Sequence, residues 1–393
     1  MTSPDRAPGP MDRLFDMADA AGLRPCPIRF EQVPARLLQA ATAYGGVLTR
    51  HRHWSFGKAY QRIRLASDYK LTRMYELVVN ARPALAYLLD TNTEVENLVV
   101  AAHVVAHVDF FGGHYRFRNT PHDLPDRLAA SGRRLTAVRH ELGEARLEQM
   151  MDDAMVAAEL MDPYRSEWQE PANVLGYLLH NSPALSDAGR TVLQWADTEA
   201  RYFRPQLETK IANEGWATYW HRRLLRAYPL EPGQVVEYAR LHAAVVGAGG
   251  LNNPYRLGLA LWEAAFAEGG EQAFRAHRYL ADAGLVQRWL TPGLLAQVAP
   301  DLDPSQYEDH VRRLLTALDN GGLPRIEVEG SEGGTLVLRH RHDGRDLDGR
   351  QLPGAMAALS RLWGGPVRLW TVVGGRSHRL TWTGSELTDE PAS

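Results

Sequence analysis

Apolar residues recur every three or four positions from Met11 to Gln297, and this periodicity limits the possible folds of the chain more than any other feature. Such spacing puts apolar side chains on one face of an α-helix. Turn signals such as Asn181-Ser-Pro183 divide the stretch into separate segments. We therefore predict helices near residues 12–21, 32–44, 56–79, 94–111, 134–160, 185–200, 208–226, 234–245, 254–267 and 271–282.

The C-terminal part of the chain has a different pattern. Alternating apolar residues separated by turns are typical of short strands. The pattern predicts, in order, a helix near 304–319, strands at 325–329 and 334–340, a helix at 352–363, and a closing hairpin of 367–373 and 377–382.

Together the two patterns predict the fold class and the domains. The expected fold is mainly α, with a multi-helix N-terminal domain and a small α+β C-terminal domain. The expected limits are a disordered leader over residues 1–10, a helical core over 11–300 and an α+β domain over 301–393.

Composition excludes several classes of function. The chain has 393 residues, of which 45% are hydrophobic, and this is enough for a large core. Its net charge of -3 provides no general attraction to nucleic acid or anionic lipid. The single cysteine excludes an intramolecular disulfide framework, and we find no apolar run of membrane-spanning length. We expect a cytoplasmic protein with no nucleic-acid partner and no membrane span.

Two histidines four residues apart, His103 and His107, are the strongest candidates for chemistry. On a helix they share one face and can bind one metal ion, with Glu214 as a third ligand. Their spacing is that of the zinc-protease motif His-Glu-x-x-His, but Val104 stands where that motif has its catalytic glutamate. The pattern therefore predicts a divalent metal, zinc or iron, without the usual peptidase chemistry.

Other residues are candidates for the same site. Glu96 lies on the helical stripe of the two histidines and is a candidate base, while Lys210 lies one turn before Glu214 and could hold its charge. Lys58 is one of only three lysines in a chain rich in arginine, which favours a role for its compact ammonium group. Further candidates on other predicted helices are the base Glu76 and the metal ligands Glu159, His221 and His242.

Several of these residues lie in longer strings that resemble one family. The chain resembles the stage V sporulation protein R (SpoVR) family nearly from end to end. The resemblance is carried by His53–Tyr60, Met74–Asn80, Ala102–Phe111, Thr209–His221, Asn253-Pro-Tyr and Leu336–His340. It implies a part in spore cortex formation, although the family also occurs in bacteria that do not sporulate, and it brings no settled chemistry. Departures are a shorter chain and Gly112-Gly113 where the family tends to have Lys and Asn.

The sequence leaves three functions open. Zinc would support hydrolysis of an amide or ester, for example in a peptidoglycan precursor or peptide, with Glu96 or Glu76 as base. Iron held by the same residues would activate oxygen. A third possibility is a non-catalytic scaffold or interaction protein of the spore cortex or cell envelope. The partner is accordingly a small-molecule or peptide substrate or another protein, and the metal, substrate and oligomeric state stay open.

Overall fold

The computed structural model describes residues 9–68, 76–162, 164, 173–247 and 249–391. In these residues the helices are α1 (Pro10–Ala20), α2 (Ala35–Ala43), α3 (Trp54–Asp68), α4 (Glu94–Gly113), α5 (Leu124–Leu142), α6 (Glu144–Glu159), α7 (Val174–Asn181), α8 (Asp187–Glu208), α9 (Lys210–Ala227), α10 (Pro232–Val246), α11 (Pro254–Glu268), α12 (Gly270–Tyr279), α13 (Asp282–Trp289), α14 (Pro292–Val298), α15 (Tyr307–Leu318) and α16 (Leu352–Trp363). The strands are β1 (Ile28–Val33), β2 (Glu76–Val79), β3 (Ala84–Leu89), β4 (Ile326–Glu332), β5 (Thr335–His340), β6 (Val367–Val373), β7 (Arg376–Trp382) and β8 (Leu387–Pro391).

These elements belong to two compact units that alternate along the chain. Unit 1 comprises Met1–Leu48, Ser55–Asp123 and Gln206–Leu315, and unit 2 comprises the three remaining segments, Thr49–Trp54, Leu124–Pro205 and Thr316–Ser393. The predicted limit at residue 300 therefore lies inside unit 1. The domain limits drawn from the sequence stay a prediction.

The predicted fold class is confirmed, because the described chain is mainly helical and ends in a small α+β region. In unit 2 the C-terminal strands form a five-stranded sheet in the order β4-β5-β6-β7-β8. Helix α16 connects β5 to β6, which run parallel, while the other neighbours are antiparallel. The predicted strands and the helix at 352–363 are all present. The edge strand β8 is additional, and its residues are half-buried or exposed, so it has no apolar alternation to reveal it.

The structure corrects the prediction near the N-terminus, where unit 1 contains a three-stranded sheet in the order β1-β3-β2. The predicted helix at 56–79 is wrong at its end, because residues 76–79 form strand β2. The predicted helix at 32–44 likewise begins inside strand β1. Short apolar runs fit a buried strand and a helix equally well, which explains both errors. Glu76 therefore begins a strand and is not on a helix.

The predicted helix at 134–160 is divided into α5 and α6 at Gly143. This glycine has φ of 85°, a left-handed conformation that other residues rarely adopt. Helix α5 therefore ends at Leu142, and α6 begins at Glu144.

Helix α4 is the core element of unit 1. Its residues Val100, Val104 and Val108 are buried against Ala86 and Leu88 of strand β3. Among the described residues α4 is the one helix long and apolar enough to cross a membrane, yet 83% of that window is buried inside the protein. This burial is that of a core helix.

Helices α9 and α11 cross at a pair of glycines. A Cβ atom added to Gly215 would lie 2.4 Å from the backbone of Gly258, and one added to Gly258 would lie 2.3 Å from the carbonyl oxygen of Ile211. The two backbones therefore touch, and only glycine fits at either position. This contact determines the position of α9 in unit 1.

We predict that Gly215→Ala lowers the free energy of unfolding by about 3 kcal/mol or more, because the methyl group forces two packed backbones apart. The matched control is Gly233→Ala in α10, where an added Cβ meets nothing within 4 Å. That variant should gain about 0.5–1 kcal/mol, since alanine favours a helix over glycine. Urea unfolding of both variants measures the difference, and equal effects would contradict the close crossing.

Candidate metal centre

Helices α4 and α9 bring together the three residues predicted to hold a metal. Ligand atoms of His103, His107 and Glu214 lie within 4.8 Å of one another. The Nε2 atoms of His103 and His107 are 3.5 and 3.4 Å from the same atom, Oε2 of Glu214. Both histidines are buried, and the Glu214 side chain is 19% exposed. The cluster could therefore hold a metal ion.

The local sequence explains why these side chains meet. The i and i+4 positions put His103 and His107 on one face of α4. Val104, at the position of the protease glutamate, instead packs against strand β3. On the facing helix Glu214 directly precedes Gly215, where α11 makes its close approach. The valine face of α4 thus anchors the helix to the sheet and leaves the histidine face to α9.

Asn213 orients the second histidine. Its Oδ1 atom lies 2.8 Å from Nδ1 of His107. Because an amide oxygen only accepts, Nδ1 of His107 donates its proton and the lone pair of the neutral ring stays on Nε2, facing Glu214. Asn213 was not among the predicted site residues, although an amide directly before the predicted ligand Glu214 is a candidate hydrogen-bond partner for the site.

His221 and His242 lie behind His103 in a chain of imidazoles. The Nδ1 atoms of His103 and His221 are 2.9 Å apart, and Nε2 of His221 is 3.0 Å from Nδ1 of His242. Burial lowers the pKa of His221 well below its usual range, and burial with nearby Arg222 lowers the pKa of His242 to about 4. Both rings are thus neutral near pH 7. The two predicted ligands lie one and two rings away from the cluster.

One set of tautomers that satisfies this chain suits a metal site. In it His103 donates from Nδ1 to His221, and His221 donates from Nε2 to His242. The lone pair of His103 is then on Nε2, where it faces Glu214. In this set the hydrogen bonds on the outer side of both cluster histidines direct their basic nitrogens to one point.

The charges at this point fit a metal cation. Burial opposes ionisation of Glu214, but hydrogen bonds and charge from His103 and His107 hold the pKa of its carboxyl well below the usual range. This lowering needs protons on the histidine nitrogens that face Glu214, and a metal ion in the place of those protons would instead receive the carboxylate oxygen and two imidazole lone pairs. Ligand atoms about 2.0–2.1 Å from a tetrahedral zinc ion lie about 3.3–3.4 Å apart. The two measured separations are close to this value.

The predicted base Glu96 has another role. Its Oε2 accepts the N–H of Thr93 at 2.9 Å, and the Thr93 hydroxyl accepts the N–H of Glu96 at 3.1 Å. This reciprocal pair caps the start of α4. Glu96 is seven residues before His103, a rise of about 10 Å along the helix. Its place in the cap gives Glu96 a structural role, and its assignment as a base stays a prediction.

Of the remaining candidates, those whose side chains are described are not part of the three-residue cluster. Lys58 is exposed near the start of α3, and Lys210 is exposed at the start of α9. Glu76 opens strand β2, and its side chain lies outside the described residues. Glu159 belongs to unit 2, where it lines a cavity of that unit. Their assignment to catalysis or metal binding stays a prediction.

Two buried carboxylates hold α9 in place. Asp109 of α4 accepts the indole N–H of Trp216 at 3.0 Å, and burial raises the pKa of Asp109 to about 6. Asp282 accepts the backbone N–H groups of Ile211 and Ala212 at 3.0 and 2.8 Å, and burial raises its pKa to about 7. Asp282 therefore holds the first turn of α9, and Asp109 holds Trp216 in the second turn, so Glu214 lies between two fixed points of the helix.

The raised pKa of Asp282 predicts a pH dependence of stability. Because its folded pKa of about 7 lies above the ordinary 3.8, the folded state binds the proton more tightly. This contribution to the free energy of unfolding is complete below about pH 4 and is lost as the pH rises towards 7. Asp282→Asn should therefore lose less stability than the wild type between these values in urea unfolding. If the stability of both proteins changed equally with pH, the raised pKa of Asp282 would be contradicted.

Comparison with known proteins gives two matches. The family model described as SpoVR-like protein matches residues 10–172 and 167–299, which include all three cluster residues. The "Uncharacterized protein YcgB" of Escherichia coli (strain K12) is 26% identical over 302 residues, covering 60% of this chain and 59% of the relative. The chain thus spans less than two thirds of that relative's length. No solved structure matches.

Proposed function

We propose that this chain, which belongs to the SpoVR-like protein family, is a metal-dependent hydrolase that cleaves an amide or ester at the cluster of His103, His107 and Glu214. The observation that carries the proposal is the pair of separations, 3.5 and 3.4 Å, between the histidine nitrogens and the glutamate oxygen. Ligand atoms this close could share one metal ion, and a zinc ion held by two histidines and a glutamate would support hydrolysis.

Residues of this chain would bind the ion, balance part of its charge and orient its ligands. A zinc ion with three protein ligands supplies a bound water whose pKa is about 7. Glu214 is ionised and neutralises part of the charge. Asn213 and His221 hold the two histidine rings through their outer nitrogens. Because Glu96 is engaged in its helix cap, the proposal assigns it no base role.

The proposal includes a substrate class and a location. The substrate is an amide or ester of a peptide or cell-wall precursor, in keeping with the resemblance to the SpoVR family. The proposed location is the cytoplasm, in keeping with a chain that has a single cysteine. The metal site does not depend on either part.

The first test is elemental analysis of protein purified without chelators. We expect about one zinc ion per chain, and its loss in His103→Ala, because that change removes one of three ligands. His140→Ala is the matched control, since His140 is exposed on α5. Circular dichroism checks that both variants are folded. Metal-free wild-type protein, or full zinc in folded His103→Ala, would overturn the metal site.

Hydrolysis is measured with the same proteins on 4-nitrophenyl acetate and on N-acetylated dipeptide amides. The zinc-loaded wild type and His140→Ala should hydrolyse at least one class, and His103→Ala should lose about 100-fold or more of that rate. Stoichiometric zinc without hydrolysis of either class counts against a hydrolase. Bound iron with oxygen consumption would replace it by the oxidative function.

The outer hydrogen bond of His107 provides a separate prediction. Asn213→Ala removes the partner of Nδ1, so the ring loses both its orientation and its fixed tautomer. Loss of such a partner weakens metal binding by about 10–100-fold. Competition with a chelating dye measures the zinc affinity, and an unchanged affinity in the folded variant would show that Asn213 does not orient the ligand.

A further inference from the structure

Unit 2 contains a cavity that the metal cluster does not use. Its volume is about 650 Å³. Pockets of about 300–1,000 Å³ are the usual size for drug-sized ligands. The walls are formed by the sheet strands β4, β5 and β6, by helix α16, by the end of α6 and by the segment that joins β5 to α16. The cavity therefore has the dimensions of a small-molecule site.

The inner wall of the cavity is apolar. The sheet contributes Ile326, Leu338 and Leu369 from three neighbouring strands, and α16 contributes Met356 and Leu359. All five residues are buried. A ligand seated here would therefore place an apolar body against aliphatic side chains and the methionine thioether.

The segment between β5 and α16 forms a polar rim whose charges are largely satisfied. Asp343 forms an ion pair with Arg345. Asp346 accepts the N–H of Gly374 at 2.8 Å, and Asp348 accepts the N–H of Arg350 at 2.9 Å. These contacts order the rim without needing a ligand.

Glu159, at the end of α6, differs from the rim carboxylates. Glu159 lines the cavity and is partly exposed, and its partial loss of hydration raises the pKa of its carboxyl. The nearby Arg204 acts in the opposite direction but does not cancel this rise, and its guanidinium donates to the backbone oxygen of Glu159 at 3.1 Å. A further cation beside the carboxylate would compensate its lost hydration.

The charge of the cavity lining also favours a cationic ligand. Among the described residues, the lining contains the carboxylates of Glu159, Asp343, Asp346 and Asp348 and the guanidinium groups of Arg345 and Arg350. Burial lowers the pKa of His340, so this lining imidazole is neutral near pH 7. The excess of negative charge disfavours an anionic ligand and favours a cationic one.

From the apolar wall and this charge we infer that the cavity binds a small amphipathic amine, with its apolar body against Leu338, Leu369 and Met356 and its ammonium group at Glu159. The site lies in unit 2 and does not depend on the metal cluster of unit 1. Neither the family match nor the relative's description assigns a ligand to it.

The charge assignment is tested with three probes that share one chain length: decylamine, decanol and decanoate. Calorimetric titration of the full-length protein should show decylamine binding about tenfold more tightly than decanol, and decanoate binding weakest. Glu159→Gln should remove the preference for the amine while decanol still binds. The matched control Glu148→Gln lies on the same helix, outside the lining, and should keep the preference.

The location is tested by filling the cavity. Gly354 lines it from the first turn of α16, and a Cβ added there meets nothing within 4 Å. Gly354→Phe should therefore fold and lose binding of every probe. The control Gly293→Phe, at an equally open glycine in the first turn of α14, should bind as the wild type does.

Several outcomes would overturn the inference. Equal affinity for the three probes, or tightest binding of decanoate, would contradict the charge assignment. Binding that persists in folded Gly354→Phe would place the ligand elsewhere, and absence of binding by all probes would remove the site. Thermal unfolding of each variant establishes that it is folded.

Discussion

The packing of α4 against α9 is the contact on which the arrangement of unit 1 depends. Val104 and its helical neighbours hold one face of α4 on the sheet, while His103 and His107 on the other face meet α9. Helix α11 packs directly on the backbone of α9, because neither Gly215 nor Gly258 carries a Cβ atom. A larger side chain at this crossing would force the two backbones apart next to Glu214.

Burial gives this contact its chemical character. Charged and polar groups that leave water need partners, and here the partners also determine direction. Asn213 and His221 bind the outer nitrogens of the two histidines, so that both Nε2 atoms face the glutamate. Asp109 and Asp282 hold the helix that carries this glutamate. The polar residues around the cluster therefore orient the histidine rings and the helix that carries Glu214.

The two units present different kinds of site. The cluster of unit 1 is small, buried and rich in nitrogen and oxygen ligands, as a metal centre requires. The cavity of unit 2 is much larger and mostly apolar, with a charged mouth. Glu159 illustrates the distinction, because a glutamate considered as a metal ligand from its sequence is a lining residue of this cavity.

Local periodicity determined much of this protein directly. It located α4, put His103 and His107 on one face, and separated the helical part from the C-terminal strands, since each depends on neighbours a few residues apart. The capping role of Glu96 is also local, because Thr93 and Glu96 lie three residues apart. Tertiary structure alone decided the strand identity of Glu76 and the hydrogen-bonded chain of His103, His221 and His242. A short apolar run fits helix or strand, and a polar side chain fits many partners. Contacts between residues as distant as His103 and His221 choose among these options, and no local pattern encodes them.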